Sequence, residues 1–223
     1  MDTGKLRQVS IDLPATRETI AGLRLGDVAF LNGVVYTARE GVYERVLNGG
    51  EALPEGLTQA SNVNFHCSPA IARAGNSFKL GGVTATASFR FSKYLADWLD
   101  ATGTKIVIGK GGMTEKDYKE VLAPRGAVYL TTVGYGTGAL LGRGVQDIRG
   151  VHWLDELGLA QACWMFEVRN FGPFIVDSDL EGNSLFAQHG AKVNENIDRL
   201  YAGLKPPALH RYGETDNRED EVM

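Results

Sequence analysis

From Phe91 onward the core-facing residues Phe91, Tyr94, Leu95, Trp98, Leu99 and Thr102 return roughly every 3.6 positions, the period of a helix with one buried face. Ser88 stands where an N-cap would, and Gly103 where a C′ glycine closes a helix. Lys105-Ile106-Val107-Ile108 follows as a continuous apolar strand and runs into Gly109-Lys110-Gly111-Gly112. A second helix is predicted from Thr114, with Asp117 three residues on as a variant of the capping box, stopping before Pro124. Ala127 to Val133 is again a strand of β-branched and aromatic residues. Strand–helix–strand units close with right-handed crossovers and lay their strands parallel in one layer. Whatever else the chain does must be built around that centre.

The flanking thirds are β-rich. Residues 1–20 are polar with one short apolar island, an extension expected either to pair as an edge strand or to lie loose. Asp27–Leu31 and Val34–Thr37 read as two strands across an Asn32-Gly33 turn, a dipeptide suited to positive φ at both central positions. Residues 48–62 read as loop, and Asn64–Leu80 as short strands punctuated by Pro69 and Gly75-Asn76. Trp164–Arg169 and Phe174–Asp177 are strand-like, with a turn at Glu181-Gly182-Asn183. A last amphipathic helix carries Val193, Ile197, Leu200, Tyr201 and Leu204. Residues 206–223 are polar and mostly acidic, as a flexible tail would be. The expectation is one α/β domain over residues 21–205, a β-rich shell around a β-α-β-α-β centre.

Composition excludes several classes. A net charge of −4 argues against a binder working by phosphate neutralisation, so no nucleic-acid partner is expected. Two cysteines, Cys67 and Cys163, cannot make a disulfide framework, nor supply the thiolates an iron–sulfur cluster needs. No apolar run approaches the ~18 residues of a membrane span, and residues 1–20 lack a signal-peptide core. A reduced, soluble, cytoplasmic protein with no membrane partner is expected.

Several attractive motifs fail. Gly109-Lys110-Gly111-Gly112 lacks P-loop spacing, and Gly134-Tyr135-Gly136-Thr137-Gly138 lacks the third glycine of a dinucleotide fingerprint. Tight packing explains either glycine turn as well as a stand-alone nucleotide module does. His66, His152, His189 and His210 are scattered, and His66 beside Cys67 is a poor pair of metal ligands. The better constellation is Thr86, Ser88, Arg90 and Lys110, with Arg39 as a third cation. A helix start offers unpaired N–H groups, an arginine grips a carboxylate with two parallel bonds, and ligands gather at the carboxyl edge of such layers. A pocket for a small di-acid and a set of ordinary surface cations beside a cap both remain open on spacing alone.

At these residues the sequence resembles the beta subunit, or C-terminal domain, of class I iron–sulfur hydro-lyases, the fumarate hydratase and L(+)-tartrate dehydratase family. The resemblance runs from about Gly22 to Leu204, strongest at Arg24–Asp27 through Tyr36-Thr37-Ala38-Arg39, at Thr102–Met113, at Val151-His152-Trp153 and at Phe171–Val176 with Gly182–Leu185. It implies a swivelling β/β/α domain and a [4Fe–4S] cluster held by a partner alpha subunit rather than by this chain. It also implies a heterotetramer acting on a small 2-hydroxy dicarboxylic acid. The family's GPTTxxRM motif falls on Thr84-Ala85-Thr86-Ala87-Ser88-Phe89-Arg90-Phe91, which maps the base to Thr86 and carboxylate contacts to Arg90, Lys110 and Arg39, with Ser88 beside them. Thr84-Ala85 replaces the motif's Gly-Pro, Ala87 its second threonine, and Tyr43 an expected histidine, which points to a different hydroxy acid or to a diverged, non-catalytic anion-binding partner subunit.

Overall fold

The computed structural model describes residues 6–75, 77–134 and 136–203. In chain order the elements are β1 (Gln8–Asp12), α1 (Arg17–Ala21), β2 (Val28–Thr37), α2 (Glu40–Tyr43), α3 (Leu57–Ala60), β3 (Val63–Phe65), β4 (Cys67–Ala74) and β5 (Ser77–Ala85). There follow α4 (Ser92–Thr102), β6 (Ile106–Gly109), β7 (Val128–Thr132), α5 (Gly138–Gly144), β8 (Val145–His152), α6 (Leu154–Gln161), β9 (Cys163–Val176) and α7 (Leu185–Leu200). A 3-10 turn at Ser88–Phe91 leads into α4, and a wide π turn at Asp117–Leu122 lies between β6 and β7. Residues 1–187 form one compact unit and residues 188–223 a second, whose described part is mainly the remainder of α7.

The architecture is mixed α/β. A 7-stranded sheet in the order β1-β2-β3-β6-β7-β9-β8 folds back on itself because β2 also pairs with β9, so β2, β3, β6, β7 and β9 close a small barrel. Neighbours β2, β3, β6 and β7 run parallel, and β9 runs antiparallel to both β7 and β2. β4 and β5 form a separate hairpin. Among the described residues no helix is long and apolar enough to cross a membrane.

The unbroken apolar run of β6 follows from burial on both faces. Ile106 and Ile108 pack in the main core with Phe65, Val128, Leu130, Phe171 and Phe174, while Val107 points the other way, onto Leu95, Leu99 and Tyr129. The remaining face of α4 sets Tyr94 and Trp98 against Tyr36 and Tyr43. Its end is pinned by buried polar bonds: Trp98 Nε1 donates to the Tyr36 hydroxyl (3.1 Å), which lies 2.5 Å from Thr104 Oγ1. Burial pushes the Tyr36 phenol up to about 12. Gly103 stops the helix in a left-handed conformation (φ +66°), as the C′ reading requires. The second predicted helix is present from its capping box onward, with Asp117 N–H donating to Thr114 Oγ1 and Thr114 N–H to Asp117 Oδ2, both 3.1 Å. It does not stop before Pro124, because a 3-10 turn over Ala123–Arg125 carries it on to left-handed Gly126.

Three expectations are corrected. Asn32-Gly33 is no hairpin turn: β2 runs through it as one strand of 10 residues. Gly33 (φ +119°) sits at a register shift against β9, and Asn32 stitches strands together, donating from Nδ2 to Ser10 Oγ (3.0 Å) and Asp12 Oδ1 (3.1 Å) and accepting from Asn170 N–H (2.8 Å). The two predicted strands at 164–169 and 174–177 are joined as the single β9, with the chain kinked at Asn170 (φ +48°). Ser88 does not cap α4, whose first turn has no side-chain cap, because its hydroxyl points inward. Residues 8–12 of the N-terminal extension pair in parallel with β2 at the end of the sheet order, the edge-strand alternative. The expected tail over 206–223 lies outside the described residues.

Gly33 provides a test of the β2 bulge. A Cβ there would lie 2.9 Å from both the Leu13 Cβ and the Leu13 carbonyl oxygen, on a backbone disfavoured for L-residues. Gly33→Ala is expected to lower unfolding free energy by about 1–3 kcal/mol in urea titration, because the Leu13 clash adds to the backbone strain.

Candidate active site

Because β2, β3, β6 and β7 are parallel, their carboxyl ends share one rim of the barrel, and each delivers a residue there. Arg39 follows β2, His66 follows β3, Lys110 follows β6, and Thr132 ends β7. The segment leaving β5 is laid between two of these ends by backbone bonds. Thr86 N–H donates to the His66 carbonyl (2.7 Å), Lys110 N–H to the Thr86 carbonyl (3.2 Å) and Ser88 N–H to the Lys110 carbonyl (3.4 Å). Thr86 and Lys110, far apart in sequence, are thereby locked side by side, with Thr86 9% exposed.

Lys110 keeps this place because the chain turns away sharply behind it. Gly111 and Gly112 both take left-handed φ (+77° and +71°). Met113 N–H donates to the Tyr118 hydroxyl (2.7 Å), which donates to Asp177 Oδ2 (2.5 Å). Asp177 is fully buried and also accepts from Ser184 Oγ and Phe186 N–H, each at 3.2 Å. Burial, then the Asp177 charge, holds the Tyr118 phenol far above its ordinary range. This anchor was not singled out from sequence, since Asp177 and Tyr118 meet only in the fold.

Arg90 lies near enough for its charge to act on Arg39. Arg39 is held below the ordinary guanidinium value, first by burial and then by Arg90. Arg39 reaches the Ser68 hydroxyl and the Ala160 carbonyl (3.0 Å). Its Nε is buried without a hydrogen-bond partner. Among the described residues neither arginine forms a salt bridge; Arg90 lies over the Phe91 ring (5.4 Å). A half-buried guanidinium with an unpartnered Nε and a second arginine nearby makes a place where an anion is favoured.

Of the five residues singled out from sequence, the fold brings Thr86, Lys110, Arg39 and Arg90 to this one rim. Ser88 is different: it is fully buried, with Oγ 2.7 Å from His66 Nδ1 and accepting from the Tyr129 hydroxyl at 2.9 Å. Its hydroxyl therefore faces the core rather than the rim. His66 has its other nitrogen 2.7 Å from the Tyr43 hydroxyl, so both ring positions are already used by neighbouring side chains. Burial, then the Arg39 charge, lowers the His66 pKa to about 3.

The glycine-rich segment around Gly134–Gly138 also reaches the rim. Lys110, Thr84, Thr132 and Thr137 line a cavity of about 300 Å³ that includes neither Thr86 nor Arg90. Its wall is thin because α5 packs directly on β5. A Cβ on Gly138 would meet Thr84 Oγ1 at 3.0 Å, and one on Gly142 would meet Gly82 Cα at 3.0 Å. Tight packing thus accounts for Gly138 and Gly142, whereas Gly134 (φ +67°) and Gly136 (φ +85°) face open space and serve left-handed backbone instead.

A profile of the family described as Fumarase C-terminus matches residues 1–189. A protein of Methanocaldococcus jannaschii named "Putative L(+)-tartrate dehydratase subunit beta" is 34% identical over 188 residues, 83% of this chain and 94% of that one. The L(+)-tartrate dehydratase subunit beta of Escherichia coli (strain K12) is 31% identical over 195 residues, 84% of this chain and 90% of its own. A Geobacillus stearothermophilus protein named "Putative fumarate hydratase class I" is 31% identical over 180 residues, 80% of this chain and 34% of that longer protein.

The buried imidazole sets a pH dependence. Its folded pKa near 3 lies below the ordinary 6.5, so the unfolded chain takes up the proton first as pH falls. The stability associated with neutral His66 is complete above about pH 6.5 and is lost progressively between there and pH 3. Urea midpoints should therefore drop from pH 7 to pH 5, by at most about 1.4 kcal/mol per pH unit from this group. In His66→Gln, less stable throughout, that slope should flatten.

Proposed function

The chain belongs to the Fumarase C-terminus family, as a beta subunit of the fumarate hydratase/tartrate dehydratase type, and from that premise we propose that it supplies the cationic half of a hydro-lyase active site. The reaction is the reversible loss of water from a small 2-hydroxy dicarboxylic acid. The other half, with the [4Fe–4S] cluster, belongs to an alpha subunit in a cytoplasmic heterotetramer. This chain's own residues do not fit a cluster. Cys67 and Cys163 are both buried, burial pushes both thiols up (Cys163 to about 12), and among the described residues no group of ligating side chains converges.

The observation that carries the reading is the partly buried Arg39, whose Nε has no hydrogen-bond partner and which feels the Arg90 charge, set on the same rim as the locked Thr86–Lys110 bridge. In this reading Arg39 and Arg90 take the substrate carboxylates, and the buried unpaired Nε of Arg39 is one donor waiting for an acceptor. Thr86 takes the carbon-bound proton. A threonine hydroxyl ionises far above neutral pH, so it acts as a base only where cations lower the cost of its alkoxide. Lys110, held by backbone to the same residue, is placed for that task. The rim is open on this chain because the alpha subunit closes over it. The inward turn of Ser88 removes one hydroxyl from the substrate side, which favours a second reading as a non-catalytic anion-binding partner.

Anaerobic co-purification with the alpha subunit, followed by a screen of hydroxy di-acids through the absorbance of the unsaturated product, separates the two. Thr86→Ala should lower kcat by about 10²–10⁴-fold while leaving the affinity for a competitive di-acid nearly unchanged. Arg90→Ala should weaken that affinity by roughly tenfold or more. Full turnover in Thr86→Ala would remove it as the base, and tight di-acid binding with no turnover in the wild-type complex would support the non-catalytic reading.

A further inference from the structure

Beneath the rim runs a line of five buried polar side chains, drawn from four separate stretches of the chain. Asn64 Nδ2 donates to the Tyr43 hydroxyl at 2.6 Å, and that hydroxyl lies 2.7 Å from His66 Nε2. His66 Nδ1 lies 2.7 Å from Ser88 Oγ, which accepts from the Tyr129 hydroxyl at 2.9 Å. All five are fully buried. Polar groups in such a place are costly unless every one is paired, and a paired line is stiff because no member can move alone.

The line touches the backbone of the rim at three points. Asn64 Oδ1 accepts from Ala38 N–H at 3.0 Å, next to Arg39. The His66 carbonyl accepts from Thr86 N–H at 2.7 Å, and Ser88 N–H donates to the Lys110 carbonyl at 3.4 Å. Gly109 makes the room: a Cβ there would lie 1.8 Å from Ser88 Oγ and 2.7 Å from the Tyr129 hydroxyl. We propose that the Asn64–Tyr43–His66–Ser88–Tyr129 line is a positioning device that sets Thr86 and Lys110 relative to Arg39, with the Tyr43 hydroxyl as the link between Asn64 and His66. The catalytic consequence rests on the function proposed above. A neutral imidazole has one donor and one acceptor nitrogen, so the bonds pass through His66 in a single sense and Tyr43 and Ser88 cannot both donate to it. Removing one hydroxyl therefore leaves the partner on each side of that hydroxyl unpaired, Asn64 and His66 for Tyr43, His66 and Tyr129 for Ser88.

Tyr43→Phe keeps the ring packing against Phe91 and Trp98 and deletes only the link. Ser88→Ala breaks the line at its other end and serves if the first variant folds poorly. In the complex with the alpha subunit, kcat should fall about 10- to 100-fold, as expected for a misplaced base, with KM changed less than about threefold. The primary deuterium isotope effect on kcat, with label at the carbon that loses its proton, should rise. In the isolated full chain, amide hydrogen exchange over 84–91 and 105–113 should quicken about tenfold or more, and exchange in β2 and β9 should not change. Unchanged exchange at the rim in both variants overturns the proposal, as does faster exchange with unchanged kcat. Should the wild-type complex turn over no hydroxy di-acid, the proposed function fails, and the exchange measurement alone decides whether the line positions the rim.

Discussion

The pairing of β9 with β2 is the interaction on which the molecule depends. β9 is 14 residues long and pairs with β2, β7 and β8, so one strand both closes the barrel and ties its edge. Without that closure, β2, β3, β6 and β7 would form an open parallel layer, with hydrogen-bonding groups exposed along its edges. With it, four consecutive strand ends are drawn around one rim. Arg39 is brought beside the start of β9 in the same way, since its guanidinium reaches the Ala160 carbonyl just before that strand begins. Barrel closure thus sets where the strand ends that carry Arg39 and Lys110 meet, and the local turns behind them fix the side chains there.

Features governed by a single helix or strand were readable in advance. The buried face of α4, its glycine stop, the apolar β6 and the Thr114–Asp117 capping box all follow from short-range periodicity and capping chemistry. The shared placement of Arg39 and Lys110 was also readable, because the rule that ligands gather at strand carboxyl ends needs only the order of elements; Thr86 joins them through the backbone bonds of the segment after β5. Asn32-Gly33 was misread because a turn signal is local while its outcome is not. Asn32 finds partners on β1 and at Asn170, and Gly33 finds Leu13 too close for any side chain, so the chain runs straight. Ser88 failed for the same reason: a hydroxyl at a helix start has two possible partners, and His66 with Tyr129 outcompeted the helix N–H groups.

Charge is distributed with an economy that net charge hides. Several surface cations have carboxylate neighbours, as in Arg125 with Asp100 (2.8 Å) and Arg45 with Glu51 (2.9 Å). The arginines at the rim depart from that habit, and Arg39 does so while half-buried, where an uncompensated charge is hardest to keep. A neutral His66 directly beneath is the least disruptive companion for such a charge, and burial of the ring ensures that it stays neutral.

The close approach of α5 to β5 has a consequence for how this scaffold can diversify. Gly82, Gly138 and Gly142 are fixed by contact, since any added carbon meets backbone or the Thr84 hydroxyl within about 3.2 Å. Thr84, Thr132 and Thr137 line the neighbouring cavity, Thr84 exposed and the other two partly so. Mutational drift is therefore channelled: the seam between helix and hairpin stays frozen, while the hydroxyl-bearing positions beside Lys110 can exchange size and polarity without disturbing the barrel. A lineage built on this fold could change which molecules it accepts by altering those three positions, leaving the cations and the frame that holds them untouched.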